Sequence, residues 1–167
     1  MDFKQPGDAI YLIGEFQPTF GGSHWSLVIG STTDMPVPDS SALAPQVYRR
    51  LHQAVTRNLL RAGHDLSEGG LAVTIAEMAI GGRLGAQLNL PAGESQQIFF
   101  GETNGCLVVE VTSENCAEFE ELMSPLPCLR IGQVASNDQL IISQVGQAPV
   151  VIPVIKLVSA WCGYPSK

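Results

Sequence analysis

The sequence predicts an α+β fold, a layered α/β sandwich in which helices flank a mixed sheet. Two patterns predict it: apolar segments of strand length alternate along the chain with segments whose apolar residues recur every three or four positions. The 167 residues are 45% hydrophobic and 15% charged, and they contain no evident internal repeat. These values are typical of one domain with enough apolar mass for a substantial core.

The elements predicted before residue 85 are one strand and three helices: a strand over residues 9–14 and helices over residues 24–29, 42–62 and 71–80. Ser23 is placed to cap the first helix, and residues 31–41 are predicted to form a loop. The long helix is predicted from its apolar spacing and from Gly63, which suits a helix end. Its arginines form either a solvated face or a contact with a partner.

The elements predicted after residue 84 are four strands and two helices: strands over residues 85–90, 106–111, 128–134 and 139–142, and helices over residues 113–123 and 154–161. Ser113 is placed to cap the first of these helices. The two helices over 42–62 and 71–80 are expected to cover the same sheet and to share one core. That core would contain Leu51, Leu59, Leu71, Ile75 and Val109. We expect residues 1–147 to form the domain and 148–167 a C-terminal extension that holds the last helix.

Composition and charge exclude several classes of protein. The 9 basic residues against 16 acidic ones give a net charge of −7, which would repel a nucleic-acid backbone. The longest apolar stretches are shorter than the roughly 20 residues of a membrane span, and no signal peptide opens the chain. The cysteines lie far apart without a ligand histidine, which predicts reduced thiols: Cys106, Cys116, Cys128 and Cys162. We therefore expect a cytoplasmic protein with neither a nucleic-acid nor a membrane partner.

The segment before the predicted helix over 71–80 is the most informative one. It contains His64, Asp65, Ser67, Glu68, Gly69 and Gly70. A Gly-Gly helix start leaves backbone N–H groups at the positive end of the helix, so a phosphate could lie over residues 67–71. The two carboxylates would repel that phosphate unless a cation such as Mg²⁺ or a proton lies between them. The alternative is that Ser67 and Asp65 cap the helix and that no ligand binds.

Two further polar segments are candidates for binding. Gly21, Gly22 and Ser23 precede a predicted helix and form either an anion-binding turn or a simple tight turn. Residues 100–105 form a polar loop whose favoured interpretation is a turn into the next strand. The chain contains no Ser/His/Asp spacing, P-loop or HExxH motif, so nucleophilic hydrolysis and zinc chemistry have no support. We name no catalytic residue and no metal ligand in it.

Several segments resemble one enzyme family. The run HDLSEGGLAV at residues 64–73, with Ala76-Glu77-Met78 behind it, resembles the HD(V/L)SEGGLAVALAE signature of phosphoribosylformylglycinamidine synthase. Further segments resemble that family in the family's order: GDAIYLIGE at 7–15 with GGS at 21–23, FFGETNG at 99–105, and IGQV at 131–134. The chain is therefore identified as a member of this synthase family. The resemblance implies the fold of the C-terminal domain of aminoimidazole ribonucleotide synthetase.

The resemblance also implies a function. The family's enzyme uses ATP and Mg²⁺ to phosphorylate formylglycinamide ribonucleotide, and ammonia from a glutaminase then displaces phosphate to give the amidine of purine biosynthesis. Each half of that enzyme pairs an ATP-binding lobe with a second lobe. This chain resembles the second lobe of the later copy, which in the family is associated with an auxiliary nucleotide site. The implied partners are the N-terminal ATP-binding lobes and a glutaminase domain or subunit.

The chain differs from the family at one loop position, and it does not include the family's catalytic and ATP-binding residues. Cys106 stands where the family often has arginine, which removes a candidate phosphate contact. The catalytic histidine and the ATP-binding residues of the family lie in lobes outside these 167 residues, so we expect the chain alone to hold no cofactor and to be inactive. Its start in a turn favours a fragment of the synthase. The alternatives are a stand-alone, non-catalytic ligand-binding or scaffold module, and the equivalent lobe of another enzyme of the superfamily, against which the SEGGLAV run argues.

Overall fold

The computed structural model describes residues 1–30, 36–37 and 39–163, and the strands of these residues form one mixed sheet. The strands are β1 (Ala9–Ile13), β2 (Leu60–Asp65), β3 (Gly85–Leu90), β4 (Leu107–Val111), β5 (Cys128–Ala135), β6 (Gln139–Gln144) and β7 (Val150–Pro153). Their order in the sheet is β2-β4-β1-β5-β3-β6-β7. The β3–β6 pair is parallel, and the other five pairs are antiparallel.

Helices cover both faces of the sheet, which confirms the predicted layered α+β fold. They are α1 (His24–Ile29), α2 (Ala44–Thr56), α3 (Gly70–Gly82), α4 (Ser95–Phe100), α5 (Cys116–Met123) and α6 (Val154–Trp161). Helix α2 packs with α5, whereas α3 packs with α4 and α6. No helix among the described residues is both long and apolar enough to cross a membrane. Much of the loop predicted over residues 31–41 lies outside the described residues.

The core consists of two hydrophobic clusters, one on each face of the sheet. Leu71 and Ile75 of α3 belong to the first cluster. Leu59 and Val109 belong to the second, and Leu51 of α2 packs against that one. The expectation that these five residues share one core is therefore wrong. Successive side chains of a strand point to opposite faces, so the sheet separates the layer that contains α2 from the layer that contains α3.

The long helix predicted over residues 42–62 is in fact a helix and a strand. Helix α2 ends at Thr56, and a tight turn follows in which Asn58 has a φ of 58°. Strand β2 then begins at Leu60 and pairs with β4. The apolar residues at 59 and 62 fit the period of a helix as well as that of a strand, and pairing with a neighbouring strand decides for the strand. Gly63 lies inside β2 and ends no helix.

Other local features also differ from the prediction. Helix α4 and strand β7 were not predicted; β7 pairs with β6 at one edge of the sheet. The predicted cap at Ser113 is wrong, because residues 113–115 form a 3₁₀ turn before α5 and no side chain caps either element. The cap at Ser23 is confirmed: its Oγ accepts a hydrogen bond from the Ser26 N–H.

The four cysteines are unpaired thiols, as predicted. Burial raises the pKa of Cys106 to about 12, and it raises the pKa of Cys128 to the same value. Both thiols are therefore protonated at neutral pH and are poor nucleophiles. Cys162 is exposed.

A buried carboxyl group holds the segment that leads into β1. Glu110 of β4 is fully buried and accepts hydrogen bonds from the backbone N–H groups of Lys4 (2.9 Å) and Gln5 (2.9 Å). Burial raises the pKa of Glu110 above its ordinary value, and the neighbouring Asp8 carboxylate raises it as well, whereas the two N–H bonds act in the opposite direction. Folding therefore disfavours the ionised form of Glu110 relative to the unfolded chain.

We expect this carboxyl group to make stability depend on pH. Because its pKa is raised on folding, Glu110 contributes stability that is fully present below its ordinary pKa of 4.5 and is lost as pH rises through the raised pKa. Between acidic and neutral pH, the free energy of unfolding should decrease less in the Glu110→Gln variant than in the wild type. Urea unfolding at a series of pH values measures the slope of this free energy against pH for both proteins. Glu118→Gln, on the exposed side of α5, is the control and should keep the wild-type slope. Equal slopes for wild type and Glu110→Gln would contradict this prediction.

Candidate functional site

Three segments that are distant in the sequence meet at one carboxylate. Oε1 of Glu102 accepts a hydrogen bond from the backbone N–H of Gly69 (2.9 Å), immediately before α3, and another from the backbone N–H of His24 (2.8 Å), the first residue of α1. Nδ1 of His24 lies 3.6 Å from the same oxygen. The backbone of Glu102 is held by a two-way hydrogen-bonded bridge to Thr19. Glu102 therefore links the two glycine-rich helix starts.

The start of α3 packs closely against the loop that follows α4. Gly70 has a φ of +66°, in the left-handed region that favours glycine. A Cβ atom on Gly70 would lie 2.4 Å from the carbonyl oxygen of Gly101, the residue before Glu102. Glycine at position 70 is therefore required both by the backbone angle and by the space available. No side chain caps α3, so the proposed caps by Ser67 and Asp65 are not formed.

Three adjoining cavities form a groove along these helix starts, which we call the helix-start groove. The middle cavity, of about 280 Å³, is lined by residues of segments 21–24, 66–68 and 102–104. It shares Thr103 and Asn104 with a second cavity of about 280 Å³, which extends to Glu15 and Ser41. It shares His24, Ser67 and Glu68 with a third, of about 390 Å³. The third cavity is walled by Trp25, which stacks on Phe100 with ring centroids 4.8 Å apart.

The structure brings together most of the site residues predicted from the sequence. Gly21, Gly22, Ser67, Glu68 and Gly69 line the helix-start groove. Ser23 and Gly70 are buried beside it, where Ser23 caps α1 and Gly70 begins α3.

The histidine and the aspartate of the same motif lie elsewhere. His64 is buried in β2, where its Nε2 lies 2.8 Å from Oε2 of Glu77, and its Nδ1 contacts the backbone oxygen of Asp65 at 2.9 Å. His64 and Asp65 line a different cavity, of about 430 Å³, together with Trp161. The structure therefore separates these two residues from the helix-start groove, although only two positions separate Asp65 from Ser67.

Glu102 and Thr103 line the groove but were not among the predicted site residues. Both lie in the polar loop that was interpreted as a turn. Thr103 is 4% exposed, and its hydroxyl oxygen has no hydrogen-bond partner among the described residues. The sequence did contain a signal, namely an acidic residue directly after Gly101 in a loop between apolar segments.

The groove is acidic. Among the described residues, its charged lining side chains are carboxylates, with one histidine and neither lysine nor arginine: Glu15, Asp39, Glu68, Glu77, Glu102 and His24. No group of three His, Cys, Asp or Glu side chains in the described part of the chain could hold a metal ion. The Mg²⁺ that the resemblance implies for the whole enzyme therefore lacks a complete ligand set among these residues. A free anion entering the groove would meet like charges.

Comparison with known proteins identifies the family. Residues 5–143 match the family described as AIR synthase related protein, C-terminal domain. The chain belongs to this family. This AIR synthase related domain is 34% identical, over 153 residues, to the phosphoribosylformylglycinamidine synthase subunit PurL of Cutibacterium acnes. The match covers 89% of the chain but 20% of PurL, so the chain spans about a fifth of the length of that relative.

Solved structures show the same fold. The AIR synthase related domain superimposes on T. maritima PurL complexed with FGAR with a TM-score of 0.79 at 18% identity, covering 94% of this chain and 29% of that one. For T. maritima PurL complexed with ATP the TM-score is 0.71 at 17% identity, covering 94% and 26%. The resemblance to the synthase family that the motifs indicated is thereby confirmed, as is the predicted fold.

Proposed function

We propose that the chain is a C-terminal lobe of phosphoribosylformylglycinamidine synthase, the ATP-dependent ligase that converts formylglycinamide ribonucleotide and glutamine-derived ammonia to the amidine in purine biosynthesis. The observation that carries the proposal is the meeting of three family-like segments in one groove. Residues of segments 21–24, 66–68 and 102–104 come from distant parts of the chain and line the same cavity. Similarity to PurL over 89% of the chain supports it.

In this proposal the helix-start groove is one wall of a ligand cleft. The T. maritima relatives are complexed with FGAR and with ATP, and both of these molecules carry phosphate. The backbone around Gly69 and Gly70, the Ser67 hydroxyl and the turn at Gly21, Gly22 and Ser23 would face the phosphate or ribose of such a ligand. The Glu68 carboxylate would oppose that phosphate, and any Mg²⁺ bound with the ligand would have to be held by the ligand's own phosphates and by the rest of the enzyme, because the described residues lack a complete ligand set. His64 and Asp65 would support the wall from behind.

The rest of the enzyme supplies what the lobe lacks. We propose that its partners are the N-terminal ATP-binding lobes and a glutaminase domain or subunit, in the cytoplasm. Residues 1–147 would form the family's domain. Residues 148–167 would be a C-terminal extension, and its described part packs back on the domain, since Val154 and Val158 lie in the first hydrophobic cluster.

A chimaera tests the proposal. The segment of C. acnes PurL that aligns with this chain is replaced by this chain, and ATP-dependent amidine formation is measured. We expect a folded and active chimaera, because a lobe that is 34% identical to the segment it replaces can form the same wall. A chimaera that melts cooperatively but forms no amidine would contradict the proposal and favour a stand-alone binding or scaffold module. PurL without the replacement is the reference.

We expect the 167-residue chain alone to be inactive. Phosphoryl transfer needs groups that position the nucleotide and neutralise its developing charge, and the described groove offers carboxylates without lysine or arginine. Incubation of the purified chain with Mg²⁺-ATP, formylglycinamide ribonucleotide and ammonia should release no phosphate above a heat-killed control. Sustained release that is abolished in the Glu68→Ala variant would show instead that the chain is a complete enzyme.

A further inference from the structure

The carboxylate of Glu102 lies where an anionic group would be bound. Two backbone N–H groups, those of Gly69 and His24, donate to its Oε1 at 2.9 and 2.8 Å. Paired N–H donors beside the N-terminus of α3, a helix of 13 residues, are the arrangement that favours a negatively charged oxygen. The side chain is 18% exposed, so it is largely shielded from competing water.

A second, independent feature of the same cavity points to a polar ligand. The Thr103 hydroxyl is buried and has no partner among the described residues, and Thr103 lines the cavity beside Glu102. A buried hydroxyl without a hydrogen bond is unfavourable, and a bound acceptor would relieve that cost. A group with several oxygen atoms could accept from Thr103 and from the two N–H groups together.

We propose that Glu102 is an internal anion that occupies the ligand's anionic subsite, so that the groove admits a small oxyanion, such as a phosphate monoester, only after the Glu102 side chain moves away. This inference rests on the proposed function, because it assumes that the groove faces a phosphate-bearing ligand. The movement involves the side chain alone, since the backbone of Glu102 is held by two hydrogen bonds with Thr19, of 2.9 and 3.1 Å. Glu102 thus acts as an autoinhibitory contact in the unliganded lobe.

Binding of inorganic phosphate to the 167-residue chain and its variants tests the proposal. Glu102→Ala removes the carboxylate and frees the two N–H groups, so we expect it to bind phosphate about tenfold more tightly than the wild type. The amide signals of Gly69 and His24 should shift on titration in the NMR spectrum. Glu68→Ala is the matched control: it removes one carboxylate from the same cavity and leaves both N–H groups bonded to Glu102. Because Glu68→Ala relieves only the charge repulsion from Glu68, its affinity should rise by less than about threefold.

The Glu102→Gln variant distinguishes the effect of the carboxylate's charge from the effect of a side chain that occupies the anionic subsite. The amide oxygen can still accept from both N–H groups, so this variant should fold as the wild type does and bind phosphate more weakly than Glu102→Ala. If Glu102→Gln binds as tightly as Glu102→Ala, or if Glu102→Ala binds no more tightly than Glu68→Ala, the proposal is overturned.

A second measurement applies if Glu102→Ala is unstable. Phosphate or acetate should then raise the melting temperature of Glu102→Ala more than that of the wild type, and an equal effect on both proteins would also overturn the proposal. An inactive chimaera with an anion-binding Glu102→Ala lobe would refute the proposed function alone.

Discussion

The Gly70→Ala variant should lose about 2–5 kcal/mol of the free energy of unfolding. Alanine at a left-handed φ costs about 1–2 kcal/mol, and overpacking against rigid neighbours costs about 1–3 kcal/mol more. Both conditions hold at Gly70, whose φ is +66° and whose added Cβ would lie 2.4 Å from the backbone oxygen of Gly101. That oxygen belongs to the main chain and cannot rotate away as a side chain would. The loop carrying Glu102 would therefore have to shift with it.

Gly30→Ala is a matched control for this variant. Gly30 has the same φ of +66°, but an added Cβ there would have no heavy atom of the described residues within 4 Å. Gly30→Ala should therefore show the backbone cost of about 1–2 kcal/mol without the steric one. Urea or thermal unfolding of both variants measures the difference. Equal losses would mean that the contact between Gly70 and Gly101 does not constrain the chain.

The Ile75→Ala variant should lose a similar amount, about 2–5 kcal/mol, for a different reason. Ile75 lies on the sheet-facing side of α3, is fully buried and belongs to the first hydrophobic cluster. Truncation to alanine removes buried methyl and methylene groups and leaves a cavity that close-packed neighbours fill only partly. The midpoint of urea unfolding should fall while the slope of the transition stays unchanged.

Ile155→Ala provides the comparison in another helix. Ile155 of α6 is 61% exposed, so its truncation removes little buried surface and should change the free energy of unfolding by less than about 0.5 kcal/mol. A loss from Ile75→Ala as small as that from Ile155→Ala would show that α3 does not pack on the sheet as described.

The sequence predicted elements well where one local period was unambiguous. The helix predicted over residues 71–80 corresponds to α3, and the strand predicted over 9–14 corresponds to β1, because both segments are predominantly apolar and bounded by glycines or turn residues. The prediction failed at residues 57–62. There the apolar residues fit either a helix or a strand, and hydrogen bonds from β2 to β4 select the strand.

The candidate site was predicted only in part. The glycine-rich segments 21–23 and 64–70 were singled out because a helix start with glycines exposes backbone N–H groups, and residues of both segments line one groove. The residue that bonds to both segments, Glu102, was not predictable from the sequence. Glu102 lies 33 positions from Gly69 and 78 positions from His24, and no local pattern relates these three residues.

The sequence by itself determined the fold class, the family and the presence of glycines at the start of α3. The fold class follows from side-chain period and the family from its motifs, and both are properties of residues that are neighbours along the chain. The tertiary structure alone decided which face of the sheet each helix covers, that β2 is a strand, and that Glu102 rather than Ser67 or Asp65 satisfies the N–H group of Gly69. Each of these outcomes is a choice between partners of similar local chemistry, and such a choice is made by the contacts available when distant segments pack together.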